Sequence, residues 1–257
     1  MNKVLTDKTE QKKIGMLTPS SNTVLEPVCS HMVCGLEHIV TMHYGRFRVT
    51  KISLEKDALS QFDTKPMLEA ARLLADADVD VIAWNGTSGG WLGFDADRRL
   101  CDEIEKETGI PATTSMLAQV KAFKKYGVTD IHLVTPYLKP INERIKEEYK
   151  KNGIKVRKDV CLEQYVNRSF ALVPQEKIQE LFLQVCRPAR QQLHMEEVDG
   201  ISVVCTNFPA MWSVPLMEKK YGIPVYDTIN TVVWDALKMT DVDTSLVKGW
   251  GKLFEME

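Results

Sequence analysis

Residues 14–19 are IGMLTP and residues 131–136 are IHLVTP, two versions of one pattern in which a short, mainly apolar run ends in Thr-Pro. Apolar runs of this length are typical of strands buried in a parallel sheet. The two copies lie 117 residues apart. Later in each copy a second apolar run ends just before Gly86 or Cys205, and these two residues lie 119 residues apart.

A third landmark repeats in the same order. A Gly-Ile-Pro segment begins at Gly109 and again at Gly222, an offset of 113 residues. Each segment is followed by side chains that favour helix N-caps, at residues 114–115 and 227–228. Three ordered matches at similar offsets indicate a duplicated unit.

Predicted strands and helices alternate along the whole chain. Apolar runs at residues 79–84 and 200–204 predict two more buried strands, and the pattern at residues 66–77 predicts an amphipathic helix. Such alternation favours an α/β fold with mainly parallel sheets flanked by helices. Combined with the duplication, it predicts two pseudo-symmetric, Rossmann-like α/β domains.

The repeat also predicts where the domains begin and end. We assign the first domain to residues 12–117 plus residues 222–257, and the second domain to residues 118–221. Residues 1–11 are polar and charged, so we expect a short solvated tail there.

Composition excludes several classes of protein. The net charge of −2 provides no basic surface for nucleic acid or for an anionic membrane. No apolar run is long enough to span a bilayer, and the polar N-terminus does not resemble a signal peptide. We therefore expect a cytoplasmic protein that binds neither nucleic acid nor membrane. The six cysteines show no metal-ligand spacing, so we expect no metal site.

Small polar side chains follow the predicted strands at residues 18–22, 86–90, 135–137 and 205–208. In open parallel sheets ligands bind beyond the carboxyl ends of the strands, and helix N-termini attract anions. These segments predict a site for a small molecule with carboxylate groups. Helix capping alone would also explain such residues, and this reading stays open.

At these four segments the sequence resembles the aspartate/glutamate racemase superfamily, nearest the arylmalonate decarboxylase and maleate cis-trans isomerase branch. The motifs that carry the resemblance are Pro19-Ser20-Ser21-Asn22, Gly86-Thr87-Ser88, Thr135-Pro136-Tyr137 and Cys205. The resemblance covers nearly the whole chain and implies an active site in the cleft between two α/β domains.

The resemblance also implies roles for individual residues. Cys205 corresponds to the catalytic cysteine of the second half, whereas Gly86 stands where racemases and isomerases carry a first-half cysteine. The residues expected to bind substrate carboxylates are Asn22, Gly86, Thr87, Ser88, Tyr137, Asn167 and Thr206. No cofactor is implied.

A single cysteine fits the loss of carbon dioxide from a substituted malonate, because that reaction needs only one proton donor. We predict an enediolate protonated by Cys205, with large apolar residues near the strand ends forming a wall: Trp84, Trp91, Phe208, Met211 and Trp212. A place in the core would also explain each of these residues. Two alternatives remain open, a maleate-type isomerase, which the loop at residues 19–22 favours, and a non-catalytic dicarboxylate-binding protein. The expected partner is a small dicarboxylate, and formation of a homo-oligomer is left open.

Overall fold

The computed structural model describes residues 11–52, 54–55, 62–187 and 197–256, which form two four-stranded parallel sheets. The strands are β1 (Lys12–Pro19), β2 (Val40–Phe47), β3 (Val81–Trp84), β4 (Ala112–Thr114), β5 (Asp130–Thr135), β6 (Lys155–Cys161), β7 (Gly200–Val203) and β8 (Val225–Asp227). Their orders are β2-β1-β3-β4 and β6-β5-β7-β8. The same order in both sheets confirms the predicted pseudo-symmetric α/β architecture.

Helices connect the strands. They are α1 (Leu25–Met32), α2 (Thr64–Ala75), α3 (Gly89–Leu92), α4 (Phe94–Thr108), α5 (Ser115–Lys125), α6 (Lys139–Lys151), α7 (Asn167–Phe170), α8 (Gln175–Cys186), α9 (Val214–Tyr221) and α10 (Thr228–Met239). Short 3₁₀ turns cover Pro209–Ser213, Thr244–Leu246 and Lys252–Phe254. No helix in the described ranges is long and apolar enough to cross a membrane.

The central strands are the ones that the apolar runs predict. In β3 and β7 every residue is buried, as expected for strands covered on both faces. The two predicted helix caps after the Gly-Ile-Pro segments are also present. Thr114 accepts a hydrogen bond from the backbone N–H of Leu117, and Asp227 accepts one from Ile229. These caps fix where α5 and α10 begin.

The structure corrects the predicted domain boundary at residue 222. Strand β8 pairs with β7, with Val203 opposite Asp227, so residues 225–227 belong to the second sheet and not to the first domain. The reason is the repeat itself, because each Gly-Ile-Pro segment leads into the last strand of its own sheet. The predicted tail lies outside the described residues, apart from Gln11.

The helices that follow the last strands cross between the two halves. From α5, the Gln119 side chain donates to the Tyr226 carbonyl of β8 at 2.7 Å. From α10, the Asp235 carboxylate accepts from the Thr113 hydroxyl of β4 at 2.6 Å. Each half therefore packs one helix on the other half's sheet, and this exchange holds the two strand-end edges face to face.

Candidate active site

A cavity of about 20 Å³ lies where the carboxyl ends of the two sheets meet. Both halves contribute to its wall. The lining residues are Pro19, Val49, Ile52, Phe62, Trp84, Gly86, Thr87, Trp91, Tyr137, Asn167, Cys205 and Thr206. This volume holds about one water molecule, so a dicarboxylate enters only if the lining moves. None of the described residues that line the cavity carries a charge, so the donors that they offer to an anion are neutral.

Six of the eight predicted site residues line this cavity, and two do not. Ser88 lies beside a neighbouring cavity of about 120 Å³. Asn22 is buried between the two halves, and its amide is fully used by protein groups. The strand-end rule therefore brings most of the predicted residues together, and its two exceptions lie just behind the wall.

Cys205 follows β7 by two residues and is 2% exposed. Its backbone N–H donates to the Thr228 hydroxyl at 3.2 Å. Burial raises the pKa of the Cys205 thiol to about 12, although hydrogen bonds from Tyr137 and from the Asn207 backbone oppose the increase. At neutral pH the side chain is therefore a thiol, which carries a proton that it can give to a substrate.

Thr87 and Tyr137 place two hydroxyl groups in the cavity, one from each half. Their oxygens are 2.6 Å apart. Burial raises the pKa of Tyr137 well above its ordinary value, and the neighbouring Cys205 raises it further. Tyr137 thus remains a neutral phenol that can donate a hydrogen bond. Among the described residues, no acceptor is bound by the backbone N–H groups of Gly86, Thr87 and Ser88.

Thr206 ties the two halves together next to Cys205. Its hydroxyl donates to the Asn85 carbonyl at 2.8 Å, across from β7 to the end of β3. The Asn22 amide donates to the Thr206 carbonyl at 3.0 Å and to its hydroxyl at 3.2 Å. The Asn22 carbonyl oxygen accepts from the backbone N–H groups of Val24 and Leu25, both at 2.9 Å. In this arrangement Asn22 stabilises the contact between the strand ends.

Asn167 begins α7 and lines the opposite side of the cavity. Its amide donates to the Ser21 hydroxyl at 2.8 Å, and its carbonyl accepts from the Asn207 amide at 2.8 Å. Asn167, which the resemblance predicts to bind a carboxylate, therefore lies in the wall of the cavity, although it precedes Cys205 by 38 residues in the chain.

The apolar wall is only partly the predicted one. Trp84 and Trp91 line the cavity, whereas Phe208 and Met211 are buried elsewhere. Trp212 is half-exposed and packs on His31 and Trp250 at the surface. Proximity to a strand end in sequence does not set side-chain direction, which is why these three differ from the expectation.

The rest of the wall comes from the segment after β2, for which no motif predicts a role in the site. Val49, Ile52 and Phe62 lie here, in a stretch without a periodic pattern or motif. Trp91 also offers more than an apolar surface. Its indole N–H is buried and finds no hydrogen-bond partner among the described residues, which makes it a further donor beside the cavity.

A known protein family matches the part of the chain that forms this cavity. Residues 45–254 match the family model described as arylmalonate decarboxylase, a span that includes Thr87, Tyr137 and Cys205. The chain belongs to the arylmalonate decarboxylase family. This assignment confirms the resemblance that the strand-end motifs predict.

Relatives of this arylmalonate decarboxylase family member carry two different activities in their names. A maleate isomerase of Alcaligenes faecalis is 25% identical over 244 residues, covering 90% of this chain and 92% of the relative. A mutant maleate cis-trans isomerase of Nocardia farcinica, with a covalently bound succinylcysteine intermediate, superposes with a TM-score of 0.84 at 20% identity, covering 96% of this chain and 99% of that one. A liganded arylmalonate decarboxylase, with one glycine changed to cysteine and one cysteine to serine, superposes with a TM-score of 0.76 at 18% identity over 95% and 99% of the two chains.

These relatives are enzymes, and their two-domain α/β fold is the fold of this family member. The names divide between an isomerase and a decarboxylase while the matches cover nearly the same length of chain. The choice between the two reactions therefore depends on the groups in the cavity.

Proposed function

We propose that this protein is a cofactor-free decarboxylase of a substituted malonate or a similar small dicarboxylate. The observation that carries the proposal is the number of thiols. Among the described residues that line the cavity, Cys205 is the only cysteine, and the matching position in the first half is Gly86. Decarboxylation needs one proton donor, whereas isomerisation through a covalent adduct needs a nucleophile in addition.

In the proposed reaction one carboxylate of the substrate is held by neutral donors. These are the hydroxyls of Thr87 and Tyr137 and the backbone N–H groups of residues 86–88, which bind no acceptor among the described residues. The second carboxylate lies against the apolar wall, where poor solvation favours its loss as neutral carbon dioxide. Asn167 and Thr206 line the cavity from the second half as further neutral polar groups.

Cleavage of the bond between the reacting carbon and the departing carboxylate leaves the electron pair on the held group as an enediolate. Donors aimed at that developing charge lower the barrier, and one such donor contributes about 3 kcal/mol. Cys205 then gives its proton to the carbon from one face, and the thiolate regains a proton from water. The raised pKa of Cys205 supports this order of events, because the thiol is already protonated when the carbanion forms.

A maleate-type cis-trans isomerase is the second candidate, and the names of the relatives favour it. In this reading Cys205 alone would act on a small unsaturated dicarboxylate. A dicarboxylate-binding protein without activity is the third. All three predict that the cavity region binds a dicarboxylate, and they differ in what happens next.

The deciding experiment measures carbon dioxide release from methylmalonate and phenylmalonate and conversion of maleate to fumarate. Wild type, Cys205→Ala and Cys205→Ser are compared, with Cys186→Ala as the matched control because Cys186 is a buried thiol of α8 outside the cavity. We expect carbon dioxide release that persists in the Cys186 variant and collapses in both Cys205 variants.

The other outcomes separate the alternatives. Fumarate formation without carbon dioxide release would replace the decarboxylase by the isomerase. Binding of malonate by calorimetry without turnover of any substrate would identify a binding protein. Activity that survives Cys205→Ala would contradict the proposed proton donor.

A further inference from the structure

The two halves of the site differ at one pair of positions. Trp84 ends β3 opposite Leu17, and Val203 ends β7 opposite Val134. Leu17 and Val134 occupy the same place in the repeated strand, so Trp84 and Val203 are equivalent. Two residues further along the chain lie Gly86 in the first half and Cys205 in the second.

The large side chain of Trp84 leaves no room for a side chain at residue 86. The Trp84 indole lies directly over Gly86, two residues beyond the end of β3. A Cβ atom at Gly86 would lie 2.0 Å from Cζ2 and 2.4 Å from Cε2 of Trp84. In the second half the smaller Val203 leaves room for the Cys205 thiol. In the first half the large side chain is therefore at residue 84 and residue 86 is glycine. In the second half residue 203 is the smaller valine and residue 205 carries the thiol.

The indole has little freedom to give way. Trp84 is fully buried, and its ring packs on Phe47 with 4.9 Å between centroids. Its N–H lies 3.5 Å from the Ser88 hydroxyl. In a close-packed interior a side chain held on several sides cannot move by the ångström or more that a Cβ at residue 86 requires.

The same indole borders two cavities. Trp84 and Phe62 line both the cavity of about 20 Å³ beside Cys205 and the cavity of about 120 Å³ beside Met67 and Asp97. A substituent that reaches from Cys205 into the larger space therefore has to pass the Trp84 indole or the Phe62 ring.

We infer that Trp84 is the specificity-determining residue of this site, because its indole both excludes a side chain at residue 86 and limits the substituent on the reacting carbon to a small group. The inference concerns the substrate of the proposed decarboxylation and rests on it. Malonates with a hydrogen or methyl substituent fit this restriction, whereas an aryl substituent requires the space that the indole closes.

The steric half of the inference is tested without any activity measurement. Urea midpoints are compared for wild type, Gly86→Cys, Trp84→Val and the double variant, with Gly86→Ala as a second probe if the cysteine variant does not fold. In the protein with Trp84 we expect each Gly86 substitution to lower the urea midpoint by 1 M or more. In the Trp84→Val background we expect the same substitution to lower it by less than half as much. Equal shifts in the two backgrounds would overturn the inference.

The substrate half is tested with the malonate panel. Trp84→Val should raise the ratio of kcat/KM for phenylmalonate over methylmalonate at least tenfold, whereas Trp250→Val, which lines neither cavity, should leave that ratio unchanged. An unchanged ratio in Trp84→Val overturns the role in specificity. If no variant releases carbon dioxide from any malonate, the proposed decarboxylation fails, and the urea comparison still decides whether Trp84 closes residue 86.

Discussion

The hydroxyl oxygens of Thr87 and Tyr137 lie 2.6 Å apart although the two residues belong to different halves of the protein. One oxygen follows β3 and the other follows β5, so the contact exists only when both sheets hold their strand ends face to face. At this distance one hydroxyl donates its hydrogen to the other. The hydrogen of the accepting hydroxyl remains available for a hydrogen bond to a bound carboxylate.

Removal of the Tyr137 hydroxyl should therefore slow the reaction more than it weakens substrate binding. We expect Tyr137→Phe to reduce kcat by about 100-fold to 1000-fold, because one donor to the enediolate is lost. Steady-state kinetics with the best malonate measures this. Tyr165→Phe is the control, since Tyr165 is half-exposed and lies outside the cavity. A Tyr137→Phe enzyme with unchanged kcat would show that the hydroxyl does not contact the developing charge.

Asn22 should be needed for stability, since its amide and carbonyl bind four groups of the protein. We expect Asn22→Ala to lower the free energy of unfolding by about 2–3 kcal/mol, because buried donors and acceptors lose their partners. Urea denaturation measures the change, with Asn152→Ala as a comparison of lower burial. If Asn22 instead binds the substrate carboxylate, as its motif predicts, KM would increase while the stability stayed near that of wild type.

The Trp91 indole N–H should contribute to substrate binding and not to the stability of the fold. It is buried and has no partner in the part of the chain that the structure describes, so its removal breaks no hydrogen bond seen there. We expect Trp91→Phe to raise KM by about tenfold or more, as for a lost hydrogen bond to a charged group, with an unchanged or slightly higher urea midpoint. Trp212→Phe controls for the loss of a tryptophan at a surface position. A lower midpoint with unchanged KM would assign Trp91 to packing alone.

Two buried carboxylates should make the protein less stable as the pH rises. Burial raises the pKa of Asp97 and of Asp227 to about 7, although Thr114 and the α10 backbone donate hydrogen bonds to them. The folded state therefore binds protons that the unfolded state has already lost, so this stability is fully present below about pH 4 and disappears as the pH rises through 7.

The measurement is the urea midpoint between pH 5 and pH 8. We expect the free energy of unfolding to fall over this range, with each carboxylate contributing up to about 3 kcal/mol. Asp97→Asn should remove its share of the decrease. A midpoint that rises with pH in wild type, or an identical decrease in the variant, would contradict the assigned protonation states.

Much of the architecture is predictable from local patterns. The apolar runs locate the central strands β1, β3, β5 and β7, because a strand covered on both faces is apolar at every position. Strands β2 and β6 lie at sheet edges and mix polar with apolar residues, so no run marks them. The repeat shows that the halves correspond, and the strand-end rule brings Thr87, Tyr137 and Cys205 to one cavity.

By itself, the sequence determined the duplicated α/β fold, the single cysteine of the site and the family, because these depend on composition, order and local pattern. Only the tertiary structure decided that β8 belongs to the second sheet, that Asn22 is held by Thr206, and that the Trp84 indole covers Gly86. The physical reason is the same in each case. These features are contacts, and a contact depends on how side chains and halves pack against each other, which no local pattern records.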